Sequence, residues 1–191
     1  MKKRLLLAVV VLMGFFLLSA SIVWAGTVRL AKTGQTTSYR TGDDGYHQKG
    51  VASPSSRFTD NGDGTVTDNL TGLMWAKNAN LASGTMNWND AIDYANNLSL
   101  GTDCGLSRTD WRLPNIRELE SLKDYSKYNS MLPIDHPFTN VMLSDKKYWS
   151  STSLQGDPSF AWARGLNEAT QYFTAKTFST TYYVWPVRGG N

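Results

Sequence analysis

The chain has 191 residues, of which 41% are hydrophobic and 18% are charged, and its formal net charge is +3. Three of its 19 Lys and Arg residues lie at the extreme N-terminus, so the rest of the chain carries 16 of them against 16 Asp and Glu. A nucleic-acid-binding role is disfavoured, because phosphate contacts need a cluster of uncompensated Lys and Arg. This length is sufficient for one folded domain with its own core.

An export signal is predicted at the N-terminus. Basic residues 2–4 precede the uncharged stretch Leu5–Ala25, and the residues before Gly26 are typical of a signal peptidase site. We therefore predict a signal peptide over residues 1–25 and a mature protein in the periplasm or at the cell exterior, not inserted in the membrane. An uncleaved N-terminal anchor is the alternative, because the stretch is long enough to span a bilayer.

The single cysteine, Cys104, has no partner for an intramolecular disulfide. Exported proteins usually pair their cysteines, because the space outside the cytoplasm is oxidising. Two interpretations follow: a buried small hydrophobic residue, or an accessible thiol that cross-links two chains.

Residues 26–56 are rich in Gly, Thr, Ser, Gln and Asp without apolar periodicity, which predicts an extended or weakly ordered lead-in. The folded domain is predicted over residues 57–191. Its first strands flank Asp63-Gly64, a dipeptide typical of a hairpin because glycine accepts positive φ. A second turn is predicted at Asn69–Gly72.

Two helices are predicted next. Asn87 is a typical N-cap, and apolar residues follow it at helical spacing, which predicts a helix that ends near Ser99–Gly101. Pro114 suits a helix start, and Asn115 followed by Glu118 resembles a capping box. The expected buried stripe of this second helix is Ile116, Leu119 and Leu122.

The last part of the chain is predicted to form strands. Alternation places Phe160 and Trp162 on one side of a strand, and Ala161 and Ala163 on the other. The predicted class is therefore α+β, a loop-rich single domain with two short helices packed on a small antiparallel sheet. The four predicted strands are Tyr148–Ser153, Phe160–Leu166, Gln171–Lys176 and Tyr182–Val187.

Carboxylates near the predicted hairpin are candidate calcium ligands: Asp60, Asp63 and Asp68. Hard cations prefer several oxygen ligands on a flexible loop, although the spacing does not match an EF-hand. The alternative is a plain hairpin, since Asp and Asn are ordinary turn formers. Apart from this calcium hypothesis, no cofactor motif is present.

Aromatic residues are abundant, with 7 Trp and 9 Tyr. Their side chains provide rigid contact area and can stack on the faces of sugar rings. We expect most of Trp75, Trp88, Trp111, Trp149 and Trp162 to fill the core. The residues predicted to be partly exposed and to bind a ligand are Tyr172, Tyr182, Tyr183 and Trp185.

No catalytic residue is assigned. A hydrolase with His136 as general base is an alternative, but no glycine-flanked nucleophile elbow accompanies Ser150, Ser151 or Ser153. Three charged residues are predicted to tie loops to the sheet: Arg112, Glu118 and Arg188.

Five ordered blocks carry a family resemblance: Phe58–Asp68, Gly72–Trp75, Asp110–Pro114, Tyr148–Ser151 and Val184–Gly190. They are similar to a bacterial exported domain of unknown function that is also the C-terminal domain of the Legionella collagen-like adhesin. The resemblance covers residues 57–191. It implies a C-type-lectin-like fold, and the adhesin relative binds sulfated polysaccharides and glycosaminoglycans.

The chain departs from this family in two ways. Many relatives carry a second cysteine in the segment that matches Asn78–Gly84, which would pair with the one matching Cys104, and this chain has none there. The chain also lacks a collagen-like Gly-X-Y tract. The implied fold is shared with formylglycine-generating enzymes, whose chemistry relies on paired cysteines.

The sequence therefore favours an exported, non-enzymatic binding module that recognises a surface glycan or another envelope component, such as an envelope protein. A structural or assembly role in the cell envelope is the alternative. A hydrolytic enzyme is the third hypothesis.

Overall fold

The computed structural model describes residues 30–103, 106–127, 130, 132–167 and 171–189. The predicted signal peptide, residues 1–25, and Cys104 lie outside the described residues. Among the residues that the structure describes, none of the helices combines the length and apolar character needed to cross a bilayer.

The helices are α1 (Asp44–His47), α2 (Trp88–Asn96) and α3 (Ile116–Ser121). The strands are β1 (Phe58–Asp60), β2 (Thr65–Asp68), β3 (Met74–Ala76), β4 (Thr102–Asp103), β5 (Leu106–Ser107), β6 (Tyr148–Leu154), β7 (Asp157–Arg164), β8 (Gln171–Ala175) and β9 (Val187–Arg188).

The described strands form antiparallel sheets of four, three and two strands. Their orders are β1-β2-β3-β9, β6-β7-β8 and β4-β5. Helices α2 and α3 both contact β6, and α3 also contacts β7. This combination confirms the predicted α+β class. The predicted single sheet is divided because β3 pairs with the C-terminal β9 rather than with β6.

The hairpin predicted at Asp63-Gly64 is confirmed. Strands β1 and β2 pair antiparallel, and the Asn61 N–H donates to the Thr65 carbonyl at 3.0 Å. Gly62 and Gly64 have φ of 76° and 85°, a region that glycine enters without a Cβ penalty. The turn therefore depends on the position of its glycines.

The second predicted turn, Asn69–Gly72, is also present. The Gly72 N–H donates to the Asp68 carbonyl at 2.8 Å, and Gly72 has φ of 74°. The turn reverses the chain so that β3 pairs with β2.

The C-terminal segment returns to the first sheet through β9. The predicted continuous strand Tyr182–Val187 is wrong, because its two ends pair with different partners. Tyr182 forms an isolated bridge with Met86, whereas β9 pairs with β3. Pro186 lies between these two pairings and has no N–H to donate to a strand ladder.

Helix α2 begins at its predicted cap. The Asn87 Oδ1 accepts from the Asp90 N–H at 3.0 Å, which satisfies one of the unpaired amides of the first turn. Ala91 and Ala95 are fully buried and form the packed side of the helix. The helix ends at Asn96, earlier than the predicted Ser99–Gly101.

Helix α3 begins with the predicted capping box. The Asn115 side chain accepts from the Glu118 N–H at 2.9 Å, and Glu118 Oε2 accepts from the Asn115 N–H at 2.7 Å. Leu119 and Leu122 are fully buried, whereas Ile116 is only half-buried. The predicted stripe is therefore confirmed for its last two members.

The predicted structural role of the three charged residues is also confirmed. Arg112 donates to both carboxylate oxygens of Glu118, at 2.7 and 2.6 Å, and to the Gly189 carbonyl at 2.8 Å. Arg188 pairs with Asp110 at 2.7 Å. These contacts connect the start of α3 and the loop before it to the C-terminal segment.

The core consists of two hydrophobic clusters. The first cluster joins the four-stranded sheet to α3, and the second joins α2 to the three-stranded sheet. Trp75, Trp111 and Trp149 are at most 2% exposed, whereas Trp88 and Trp162 are half-buried. Main members of the first cluster are Val66, Trp75, Leu119, Leu122, Tyr148 and Trp185, and those of the second are Ala91, Ala95, Leu113, Trp149, Ala161, Ala163 and Val184.

The described part of the lead-in contains α1 and docks onto the domain. Asp43 Oδ1 accepts from the Tyr46 N–H at 2.8 Å and caps the helix. The Tyr125 N–H donates to the Thr33 carbonyl at 2.8 Å, which attaches the lead-in to the turn after α3. Helix α1 has no periodic apolar signal in the sequence and is stabilised by its cap.

A buried ion pair connects the end of the lead-in to the first sheet. Arg57 Nε and Nη2 donate to the Asp68 carboxylate at 3.2 and 3.0 Å, and Arg57 also donates to the Ser121 carbonyl at the end of α3. The side chains are 6% and 0% exposed. Asp68 also accepts from the Leu70 N–H and the Thr71 hydroxyl, at 3.0 and 2.9 Å.

The substitution Asp68→Asn is expected to lower the free energy of unfolding by about 3 to 5 kcal/mol, because it leaves the Arg57 guanidinium buried without its counter-charge. Urea denaturation measures this change. The matched control is Asp145→Asn, which removes an exposed carboxylate 3.6 Å from Lys146. We expect no measurable loss in the control, and equal losses in the two variants would contradict a structural role for the buried pair.

Candidate functional site

The sheet β6-β7-β8 has one face turned toward α2. In an antiparallel pair, directly opposed residues project to the same face. Ala163 on β7 is opposite Trp149 on β6 and Tyr172 on β8. Trp149 and Ala163 are buried in the cluster that contains Ala91 and Ala95 of α2. Tyr172 therefore lies on the α2-facing side of the sheet, on its edge strand.

Lys147 lies between two tyrosine rings. Its Nζ is 4.2 Å from the ring centroid of Tyr172 and 6.0 Å from that of Tyr182. The Tyr182 ring packs on the buried Trp149, with a centroid distance of 4.7 Å. The negative faces of aromatic rings attract ammonium groups at such distances. Both tyrosines are half-buried, so part of each side chain is accessible to solvent.

A second lysine–aromatic pair lies at the other end of β8. Lys176 directly follows β8, and its Nζ is 3.7 Å from the ring centroid of Trp88. The indole Nε1 of Trp88 donates to the Ser150 carbonyl at 2.8 Å, which fixes the ring. Lys176 Nζ also donates to the Ser153 hydroxyl at 2.5 Å. Both members of this pair are therefore held by β6.

We refer to Trp88, Lys147, Tyr172, Lys176 and Tyr182 together as the lysine–aromatic face. Tyr172 and Lys176 are four positions apart on extended chain, a separation of roughly 13 Å. None of the ion pairs that the described residues form includes Lys147 or Lys176. The face thus combines two ammonium groups and three aromatic rings, of which Tyr172 lies on the edge strand β8.

Partial burial changes the acid–base behaviour of Lys176. Desolvation lowers the pKa of its ammonium below the ordinary value, because burial disfavours the charged form. An anion bound beside Lys176 would favour the charged form and oppose this shift. Burial thus makes the charged form of Lys176 less favourable than that of a fully exposed lysine.

The four aromatic residues predicted to bind a ligand do not lie together. Tyr172 and Tyr182 contact the same lysine, whereas the Tyr183 ring points to the other cluster and lies 6.0 Å from buried Tyr148. Trp185 is 0% exposed, so the prediction of its partial exposure is wrong. Successive side chains of this extended segment point to opposite sides, which separates Tyr182 from Tyr183.

Three members of the face were not among the predicted ligand-binding residues: Trp88, Lys147 and Lys176. Strand alternation does indicate one of them, because Tyr172 and Lys176 have the same parity on the predicted strand Gln171–Lys176. Nothing in the sequence places Trp88 or Lys147 beside that strand. Their proximity depends on the packing of α2 and β6.

Residues 64–188 match the family model described as the Lcl C-terminal domain, and this range is more than half of the 191-residue chain. The chain belongs to the Lcl C-terminal domain family. The resemblance stated from the sequence blocks is thereby confirmed, and every residue of the lysine–aromatic face lies within the matched Lcl C-terminal domain. No curated protein matches the chain.

The carboxylates predicted as calcium ligands are not gathered into one site. Each has a different cationic partner: Asp60 with Lys77 at 2.7 Å, Asp63 with Arg108 at 2.6 Å, and Asp68 with Arg57 at 3.0 Å. The hydrogen bond from Lys77 lowers the pKa of Asp60 below its ordinary value. Within the described ranges, no group of three or more His, Cys, Asp or Glu side chains could hold a metal ion.

Ser150 and His136, which were considered for a hydrolytic mechanism, lie in different surroundings. Ser150 is fully buried, and its hydroxyl donates to the Trp162 carbonyl at 2.7 Å. His136 packs near Phe138, with ring centroids 5.7 Å apart, and burial lowers its pKa. The Ser150 hydroxyl is therefore engaged in the sheet rather than directed at a substrate.

We expect the melting temperature of the protein to be the same in calcium and in EDTA. A calcium ion at Asp60, Asp63 or Asp68 would have to displace a cation that already neutralises each carboxylate. Differential scanning calorimetry in the two buffers makes the comparison. A clear rise in the melting temperature with calcium would instead mean that the folded state binds the metal.

Proposed function

We propose that the protein is an exported, non-enzymatic binding module that recognises a surface glycan with acidic groups, and that the lysine–aromatic face is its binding surface. The observation that carries the proposal is that the Lys147 ammonium lies beside two tyrosine rings and the Lys176 ammonium beside the Trp88 ring, at the two ends of β8. The proposal requires no cofactor and no catalytic residue.

The chemistry of the face suits an acidic carbohydrate. Ammonium groups donate charge-assisted hydrogen bonds to carboxylate or sulfate oxygens. Tyrosine and tryptophan rings add rigid apolar area against the C–H faces of sugars, at low entropic cost. A separation of roughly 13 Å between the two ends of the face favours a chain-like ligand over a single small anion.

The family supports the same function. The sequence blocks resemble the C-terminal domain of the collagen-like adhesin, and that relative binds sulfated polysaccharides. The match over residues 64–188 includes the whole lysine–aromatic face. The C-type-lectin-like fold that this resemblance implies is part of the proposal. So is export to the periplasm or cell exterior after cleavage of residues 1–25.

A structural or assembly role in the envelope is the second candidate. It is favoured by the side of the β6-β7-β8 sheet that faces away from α2. Phe160, Trp162 and Phe173 lie there. The ring centroids of Phe160 and Trp162 are 6.1 and 5.6 Å from that of Phe173, which is 54% exposed. An exposed aromatic side chain beside half-buried ones is typical of a protein contact surface. An envelope protein that docks on this side would support the second candidate.

The double variant Lys147→Gln/Lys176→Gln is expected to weaken binding to an immobilised sulfated polysaccharide by about tenfold or more, because each lysine supplies a charge-assisted hydrogen bond. Binding by the unaltered protein should also weaken at high salt, since accessible charges are screened. Surface plasmon resonance with heparin and uncharged dextran measures both effects.

The matched control is Lys146→Gln, which removes the same charge one position before Lys147 but outside the face. Lys146 is exposed and lies 3.6 Å from Asp145. We expect its affinity for heparin to equal that of the unaltered protein. Equal weakening in the control and the double variant would show a nonspecific charge effect, and no saturable binding to either polysaccharide would refute the proposed function.

A further inference from the structure

Strand β8 is an open edge of the three-stranded sheet. It pairs with β7 on one side, and the described part of the chain places no strand on its other side. Just after β8, the Lys176 N–H donates to the Ser159 carbonyl of β7 at 2.8 Å. Because the peptide groups of a strand alternate in direction, those of Gln171, Phe173 and Ala175 point away from β7. This edge therefore presents backbone donors and acceptors to a further strand.

The opposite edge of the same sheet, on β6, is already covered. The Trp149 N–H donates to the Tyr183 carbonyl at 3.0 Å, and the Ser151 N–H donates to the Pro114 carbonyl at 2.8 Å. A head-to-tail contact, in which β8 of one copy pairs with β6 of the next, is thereby blocked. Strand β1, at the edge of the four-stranded sheet, has three residues and ends at the charged Asp60. The edge of a second copy that suits β8 is therefore its own counterpart.

Strand β8 lacks the features by which edge strands usually avoid pairing. Such edges are typically protected by a charged side chain, a proline or a bulge. The segment Gln171–Ala175 contains no charged residue and no proline, and its pairing with β7 is regular. The adjacent Lys176 is directed back across the sheet, since its Nζ contacts Ser153 on β6 and the Trp88 ring. Its charge therefore does not protect the edge.

The strand is complementary to itself when two copies run antiparallel with Phe173 at the centre. Phe173 then lies opposite its counterpart, and Gln171 lies opposite Ala175 of the second copy. The outward N–H and C=O groups of these residues face each other, as the hydrogen-bonded pairs of an antiparallel ladder require. A shift by one residue would place them opposite groups that point to β7. The centred register also pairs all five residues of β8.

The side chains suit this register as well. Phe173 is 54% exposed, and its ring lies beside those of Phe160 and Trp162 on the side of the sheet that faces away from α2. In the centred pair, the Cβ atoms of the two Phe173 residues lie about 5.5 Å apart on that side. Aromatic cross-strand pairs of this kind are stabilising. Each copy thus covers apolar surface that the single chain exposes.

We propose that the protein forms a symmetric dimer in which the β8 strands of two copies pair antiparallel about Phe173. The two three-stranded sheets then form one sheet of six strands. Because directly opposed residues project to the same face, the lysine–aromatic faces of both copies lie on one side of this sheet. The dimer does not rest on the proposed function, since its contacts are made between protein copies alone.

The test is sedimentation-velocity ultracentrifugation of the protein, expressed as the full chain and purified after export, over a range of concentrations. Polysaccharide is left out, and a reducing agent prevents a disulfide between Cys104 residues. We expect a monomer–dimer equilibrium. The variants Phe173→Lys and Phe173→Glu should each raise the dissociation constant of the dimer by about tenfold or more, because like charges then lie directly opposite each other.

An equimolar mixture of Phe173→Lys and Phe173→Glu should recover the dimer, because opposite charges then face each other. Only a contact in which residue 173 meets its own counterpart predicts this recovery. The matched control is Phe178→Lys, which adds the same charge at a residue that is 82% exposed and lies outside β8. The control should sediment like the unaltered protein, and circular dichroism verifies that each variant is folded.

Three results would overturn the proposed dimer. The first is an unaltered protein that sediments as a monomer at every concentration, which would leave the edge of β8 to a strand of another protein. The second is a folded Phe173→Lys variant that dimerises as strongly as the unaltered protein. The third is a mixture of the two charge variants that stays monomeric. None of these results bears on heparin binding by the lysine–aromatic face, which is measured separately.

Discussion

The indole of Trp185 lies inside the first core cluster, with its ring centroid 5.5 Å from Trp75, 4.8 Å from Phe138 and 5.4 Å from Tyr148. Its Nε1 donates to the Ala76 carbonyl at 2.8 Å, so its polar atom is satisfied in the core. These contacts join β3, β6 and the loop before β6 to the C-terminal segment. Truncation of a fully buried aromatic side chain of this size to Ala typically lowers the free energy of unfolding by about 3 to 5 kcal/mol. The arrangement of the two larger sheets depends on the burial of Trp185.

The position of Trp185 also determines where the lysine–aromatic face forms. Because neighbouring side chains of an extended segment alternate, burial of Trp185 and Tyr183 against the first cluster turns Val184 and Tyr182 toward the second. Tyr182 then packs on Trp149, within reach of the lysine that also contacts Tyr172. The same core contact that stabilises the domain thus sets the geometry of its candidate binding surface.

The lysine–aromatic face has a regular structural support. The lysine–aromatic face is built on an edge strand and held from β6, so its spacing follows the regular rise of a strand. All of its residues lie within the Lcl C-terminal domain.

The sequence by itself determined the class, the hairpin at Asp63-Gly64 and both domain helices with their caps, because these depend on hydrogen bonds between residues close in the chain. It also supplied the family resemblance. Tertiary structure alone decided that Trp185 is buried, that the segment from Tyr182 to β9 is not one strand, and that Trp88 meets Lys176. Those outcomes depend on contacts between residues far apart in sequence, which local spacing does not encode.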